Sequence, residues 1–131
     1  MKKFLCLFTA IIIAGAGLAG CGGAGNSIAD RYQKITPEIA LEMMEDDAVI
    51  LDVRTREEFD VLHIKGAVLL PDFEIKQKAE EVLPDKNQII LVYCRSGNRS
   101  ETAAKELISM GYKKVFDFGG IVNWHGEVEG E

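Results

Sequence analysis

Seven consecutive residues, Cys94-Arg95-Ser96-Gly97-Asn98-Arg99-Ser100, combine a nucleophile, two cations and a glycine. They follow an apolar run rich in β-branched residues, Gln88 to Tyr93, and lead into a helix-patterned run, Ser100 to Met110. A loop between the carboxyl end of a core strand and a helix start is where open α/β sheets bind ligands. Gly97 lets the backbone turn through conformations closed to other residues. Successive N–H groups from Arg95 to Arg99 then face inward as an anion nest, reinforced by the positive end of the helix. Cys94 Sγ is expected at their focus. With Arg95 and Arg99 beside it, that field favours thiolate over thiol, as in sites that lower a cysteine pKa of ~8.5 to roughly 3.5–7.5. Nucleophilic sulfur chemistry at neutral pH is the expectation, with the loop residues Arg95, Ser96, Gly97, Asn98 and Arg99 as the anion-binding set. An ordinary turn is the plain alternative, and this concentration of Cys, Gly and two Arg argues against it. Arg95 reads either as a solvated charge or as a substrate-attracting one. Arg99 reads as tied inward, with Asp52 as the expected partner.

Other chemistries are excluded on composition. Fifteen Lys and Arg against 21 Asp and Glu give a net charge of −6, with no basic stretch of the kind a nucleic-acid binder needs. Two histidines and three cysteines offer no paired metal-ligand spacing, so neither metal nor cofactor is expected. A thiol–disulfide oxidoreductase needs a resolving cysteine beside the nucleophile, and Cys94 has no cysteine near it in sequence.

The first twenty residues read as a targeting segment. Lys2 and Lys3 precede an uncharged run, Phe4 to Gly20, that ends in Leu18-Ala19-Gly20-Cys21. That tetrapeptide looks like a bacterial lipobox, which implies cleavage before Cys21 and a lipid on its thiol. A single transmembrane anchor is the alternative, opposed by Gly15, Gly17 and Gly20. The expected organisation is a signal peptide (1–20), a lipidated Cys21 with a flexible tether (21–30), one domain (31–126) and an acidic tail (127–131). The expected place is the cell envelope, anchored to a membrane and facing the periplasm or the exterior. Cys94 is then the one thiol left unmodified in an oxidising compartment. A small buried hydrophobe is the bland account of it.

Elements that would hold the loop alternate strand and helix. Ala48 to Val53 and Gln88 to Tyr93 read as strands buried on both faces, Val68 to Leu70 and Val115 to Phe118 as further strands, and Tyr32 to Ile35 as an edge strand. Thr36-Pro37-Glu38 opens a helix over Ile39 to Glu45, and Thr55 caps Arg56 to Leu62. Asp72 to Leu83 reads as a helix ended by Pro84, and Ser100 to Met110 as one stopped by Gly111. Gly119-Gly120 leads into a short closing helix containing Trp124, which reads as packing. His125 and the acidic tail read as solvated surface. The class is α/β, a mainly parallel sheet with helices on both faces.

These residues resemble the rhodanese (thiosulfate sulfurtransferase-like) family over nearly all of Tyr32 to Trp124. The similarity rests on Asp52-Val53-Arg54 with Glu58-Phe59, on His63-Ile64 and Gly66-Ala67, on Cys94 to Ser100, and on Gly119-Gly120-Ile121 with Trp124. Leu62 stands where the family usually has Gly, and Lys65 where Pro is usual. The resemblance implies a three-layer fold with a five-stranded sheet of order 1-5-4-2-3 and a catalytic persulfide on Cys94. It implies a sulfane donor such as thiosulfate or a persulfide, and a thiol or cyanide acceptor. Asp52, Arg54 and His63 become structural supports, His63 bridging loops rather than pairing with Cys94 as a base. Two competing readings remain: a cysteine-dependent phosphatase and a non-catalytic oxyanion-binding module. The phosphatase loop is similar to Cys-x5-Arg, whereas four residues separate Cys94 from Arg99.

Overall fold

The computed structural model describes residues 27–131; the segment expected to be a signal peptide, Cys21 and most of the expected tether lie outside the described residues. Five strands form the main sheet: β1 (Gln33–Lys34), β2 (Val49–Asp52), β4 (Val68–Leu69), β5 (Ile89–Cys94) and β6 (Lys114–Gly120). Their spatial order is β1-β6-β5-β2-β4 and every pairing is parallel. Counting these five in chain order, that is 1-5-4-2-3. A second ribbon pairs β3 (His63–Ile64) with β7 (Val128–Glu129), antiparallel.

Strand β5 shows why the sheet is central. Its residues alternate between two cores, as a period of two demands. Ile90, Val92 and Cys94 join Leu70, Ile75, Ala103, Leu107 and Ile108 on the face covered by α4 (Ile75–Val82) and α5 (Asn98–Ser109). Leu91 and Tyr93 join Ala40, Ile64 and Phe118 on the face covered by α2 (Pro37–Met43), where Trp124 packs at the margin. Burying Leu107 and Ile108 of α5 contributes roughly 3–6 kcal/mol at most.

Capping sets the other boundaries. Thr36 Oγ1 accepts the Ile39 N–H before Pro37 opens α2. Thr55 starts α3 (Arg56–Val61) with a full capping box: its Oγ1 accepts the Glu58 N–H, and the Glu58 carboxylate accepts the Thr55 N–H. A short α1 (Ile28–Arg31) precedes β1.

Three elements differ from expectation. α5 begins at Asn98, two residues early, because left-handed Gly97 (φ 108°) turns the chain directly into the helix. Asp72 to Leu83 divides into a 3₁₀ turn (Asp72–Glu74) and α4. The closing helix is a single 3₁₀ turn, Ile121–Asn123, with Trp124 just beyond it. The tail is exposed, as expected of solvated surface, and within it Val128 and Glu129 pair with Ile64 and His63.

Candidate functional site

Cys94 ends β5 with only 1% of its surface exposed. The loop after it folds back so that the Gly97 N–H points at Sγ from 3.0 Å. Only a glycine adopts the Gly97 conformation without strain. At Ser100, in the first turn of α5, Oγ lies 3.5 Å from Sγ and donates to the Gly97 carbonyl at 3.0 Å. The thiol donates to Ser100 Oγ in this arrangement; once it ionises, the freely rotating hydroxyl turns its proton onto sulfur. Burial opposes the thiolate. The Ser100 hydroxyl and the N–H groups of Ser100, Gly97 and Ser96 outweigh it and hold the Cys94 thiol below its ordinary pKa. The field at sulfur is therefore made by the expected backbone amides together with the Ser100 hydroxyl, and the Arg99 charge also acts on it.

Room for this loop comes from β6. A register irregularity between Val92 and Cys94 brings Gly120 opposite Cys94. A Cβ on Gly120 would lie 2.2 Å from the Arg95 carbonyl oxygen and 2.7 Å from Ser96 Cα.

Arg99 does not meet Asp52. Its two terminal nitrogens clasp Glu58 at 2.7 and 2.9 Å, a bidentate pair between α5 and α3. The clasp, with the Thr55 N–H, holds the Glu58 carboxyl at about 2, against burial. Asp52 is occupied elsewhere. Buried at the end of β2, it accepts Arg54 Nη2 at 2.7 Å, Arg54 Nε at 3.0 Å, the Arg54 N–H at 2.9 Å and the Tyr93 hydroxyl at 2.6 Å. Arg54 passes on to the Leu62 carbonyl at 2.7 Å, and Tyr93 accepts the Ile64 N–H at 3.1 Å. This network fixes the segment leading into β3.

His63 lies in that segment. Its Nδ1 is 2.7 Å from the Phe59 carbonyl and its Nε2 3.2 Å from Glu129, with the ring stacked on Phe59. Arg95, Ser96 and Asn98 are exposed around the mouth of the loop. The Arg95 guanidinium has no hydrogen bond or ion pair among the described residues. Among those residues no three His, Cys, Asp or Glu side chains converge as a metal would require.

Three contributors were missed from sequence. Glu58 was legible as half of a capping box but not as the partner of Arg99. Ser100 was legible as a helix start but not as a hydroxyl on Sγ. Tyr93 carried no local polar signal at all.

A family model described as a Rhodanese-like domain matches residues 36–127. The chain is 37% identical over 94 residues to the thiosulfate sulfurtransferase GlpE of Haemophilus influenzae, covering 71% of this chain and 88% of that protein. It is 35% identical over 118 residues to the adenylyltransferase and sulfurtransferase UBA4 of Candida albicans, covering 83% of this chain and 27% of that one. A solved structure described as rhodanese with anions from E. coli superposes with a TM-score of 0.61 at 32% identity, over 64% of this chain and 99% of the other. The chain spans about a quarter to a half of the length of some curated relatives.

Proposed function

The chain belongs to the rhodanese-like family, and from that premise we propose that it moves a sulfane sulfur from thiosulfate or a related donor to a thiophilic acceptor through a persulfide on Cys94. The observation that carries the reading is the Gly97 N–H aimed at Cys94 Sγ from 3.0 Å, with Ser100 Oγ beside it. This cradle stabilises a sulfur anion without any general base, which suits a reaction whose leaving group is already a stable anion.

The thiolate attacks the outer sulfur of thiosulfate. A bond forms between the two sulfurs as the bond to sulfite breaks, and its electron pair leaves with sulfite. The anionic persulfide then rests among the amide donors that held the thiolate. A cyanide ion or thiolate attacks the outer sulfur in turn, and the electron pair returns to Cys94 Sγ. Arg95, exposed and unpaired, supplies the local cation that draws an anionic donor toward an acidic protein. Arg99 serves instead as a clasp. Both of its terminal nitrogens are engaged by Glu58, which disfavours the phosphatase reading, where a guanidinium must be free to hold a phosphoryl group.

The proposal extends to location: lipid on Cys21 tethers the domain to a membrane of the cell envelope, with the lipobox Leu18 to Cys21 as its support. Loss of membrane fractionation in Cys21→Ala tests this, and a Cys21→Ala protein that still partitions with membranes points to a spanning anchor.

The central test is intact mass after incubation with thiosulfate. A gain of about 32 Da, one sulfur atom, is expected, discharged by cyanide and absent in Cys94→Ser. Full transfer activity in Cys94→Ser would overturn the reading.

A further inference from the structure

Residues 127–131 grip the stretch 60–66, from the end of α3 to just beyond β3. Lys65 ties one end: its N–H donates to the Glu127 carbonyl at 3.1 Å and its ammonium reaches the Glu127 carboxylate at 2.8 Å. Glu129 accepts the Gly66 N–H at 3.2 Å and faces His63 Nε2 at the same distance. At the other end the Glu131 N–H donates to the Asp60 carbonyl at 3.0 Å. Between them Gly130 crosses so closely that a Cβ there would lie 2.2 Å from the Val61 carbonyl oxygen and 3.0 Å from Leu62 Cα.

Val61 and Leu62 face the candidate site on their other side. Together with Ile121 and Val122, and with Arg54, Glu57, Glu58 and Arg95 as the charged groups, they line an open cleft of about 400 Å³ beside the Cys94 loop. Val61 and Val122 are 71% and 64% exposed, so the cleft presents apolar side chains to solvent next to Arg95. A small inorganic anion occupies a minor part of such a volume and makes no use of apolar walls. The Leu62 carbonyl is held from within by Arg54, so this wall is fixed on one side by the buried network and on the other by the tail.

We propose that Glu127 to Glu131 form a strap that sets the Val61-Leu62 wall of a subsite for an apolar organic group, carried by the sulfur compound that reacts at Cys94. Lys65 and Gly130 are its positioning residues. The inference rests on Cys94 being the nucleophile of the preceding section. Lys65 contributes an N–H that a proline at the same place would lack, and Gly130 lets the strap pass where any side chain would strike backbone.

The test is alkylation of Cys94 in the full chain, read by peptide mass so that Cys6 and Cys21 do not interfere. Iodoacetamide and N-phenyl-iodoacetamide share one reactive group and differ by an apolar ring. The native protein should favour the phenyl reagent about fivefold after correction for free cysteine, the size expected from partial burial of a ring. Lys65→Pro and Gly130→Ala should each abolish that preference while leaving the iodoacetamide rate unchanged. Lys65→Ala, which keeps the N–H, should retain most of it. A preference surviving in Gly130→Ala, or equal slowing of both reagents, overturns the proposal, and Gly130→Ala decides the matter if Lys65→Pro fails to fold. Alkylation requires the thiolate, and the phenyl preference the cleft, but neither needs sulfur transfer, so a native protein that never gains about 32 Da with thiosulfate refutes the sulfurtransferase reading separately.

Discussion

Replacing Glu58 with Gln isolates the clasp on Arg99. The amide keeps an oxygen for the Thr55 N–H, so the capping box survives, but it removes the charge facing the guanidinium at 2.7 and 2.9 Å. The carboxyl is held at about 2 against an ordinary 4.5, which corresponds to roughly 3 kcal/mol at 1.36 kcal/mol per pH unit. Both side chains are about one-third exposed, and solvent screening reduces the expected loss to ~1.5 kcal/mol. In a domain of about 100 residues this lowers Tm by about 6–12 °C. The pH dependence gives an independent check. A carboxyl whose folded pKa is depressed stabilises fully above its unfolded value and loses that contribution as pH falls through the folded one. The gap between native protein and Glu58→Gln in urea denaturation should therefore be full at pH 7, narrow below pH 4.5 and close toward pH 2. A gap that is absent at pH 7, or constant from pH 7 to 3, would refute the assignment.

Four further outcomes are expected. Ser100→Ala removes a hydrogen bond that lowers the Cys94 thiol pKa, so the pH midpoint of iodoacetamide reaction should rise and the rate at pH 7 should fall about two- to tenfold, for one bond of ~0.5–1.5 kcal/mol. Arg95→Ala should raise KM for thiosulfate about five- to tenfold with little change in kcat, an effect that shrinks as salt screens an exposed charge; an unchanged KM at low salt removes Arg95 from donor binding. Asp52→Asn leaves the buried Arg54 charge uncompensated and should cost about 3 kcal/mol in urea unfolding at pH 7. Gly120→Ala drives a methyl into the Arg95 carbonyl and should abolish sulfur loading of Cys94, measured by intact mass, even where circular dichroism shows a folded sheet.

Local chemistry made much of the molecule legible in the sequence. The β-branched runs at Val49–Asp52 and Ile89–Cys94 are strands because such side chains fit a pleated surface buried on both faces. Thr36 and Thr55 are caps because a hydroxyl at those positions reaches an orphan N–H within three residues. The Cys94 loop was readable because a nest needs its glycine, its nucleophile and its helix start in immediate succession. All of these signals act over a few residues.

The partnerships were decided by tertiary structure. Two carboxylates, Asp52 and Glu58, lay in reach of any guess about Arg99, and nothing local distinguishes them. Arg54 sits two residues beyond Asp52 and saturates it where the strand ends, while the fold sets α3 and the start of α5 so that Glu58 meets Arg99 across 41 positions of sequence. The thiolate field gains the Ser100 hydroxyl beside the expected backbone amides because Gly97 starts the helix early and brings that hydroxyl close to sulfur. Gly120 is required by the register of β6 against β5, which no pattern within β6 announces. The acidic tail looked solvated because its charges outnumber its apolar groups. Two of its residues become a strand because the fold brings them beside β3, with Lys65 pairing to Glu127 next to it, and a partner that distant in sequence leaves no local signal.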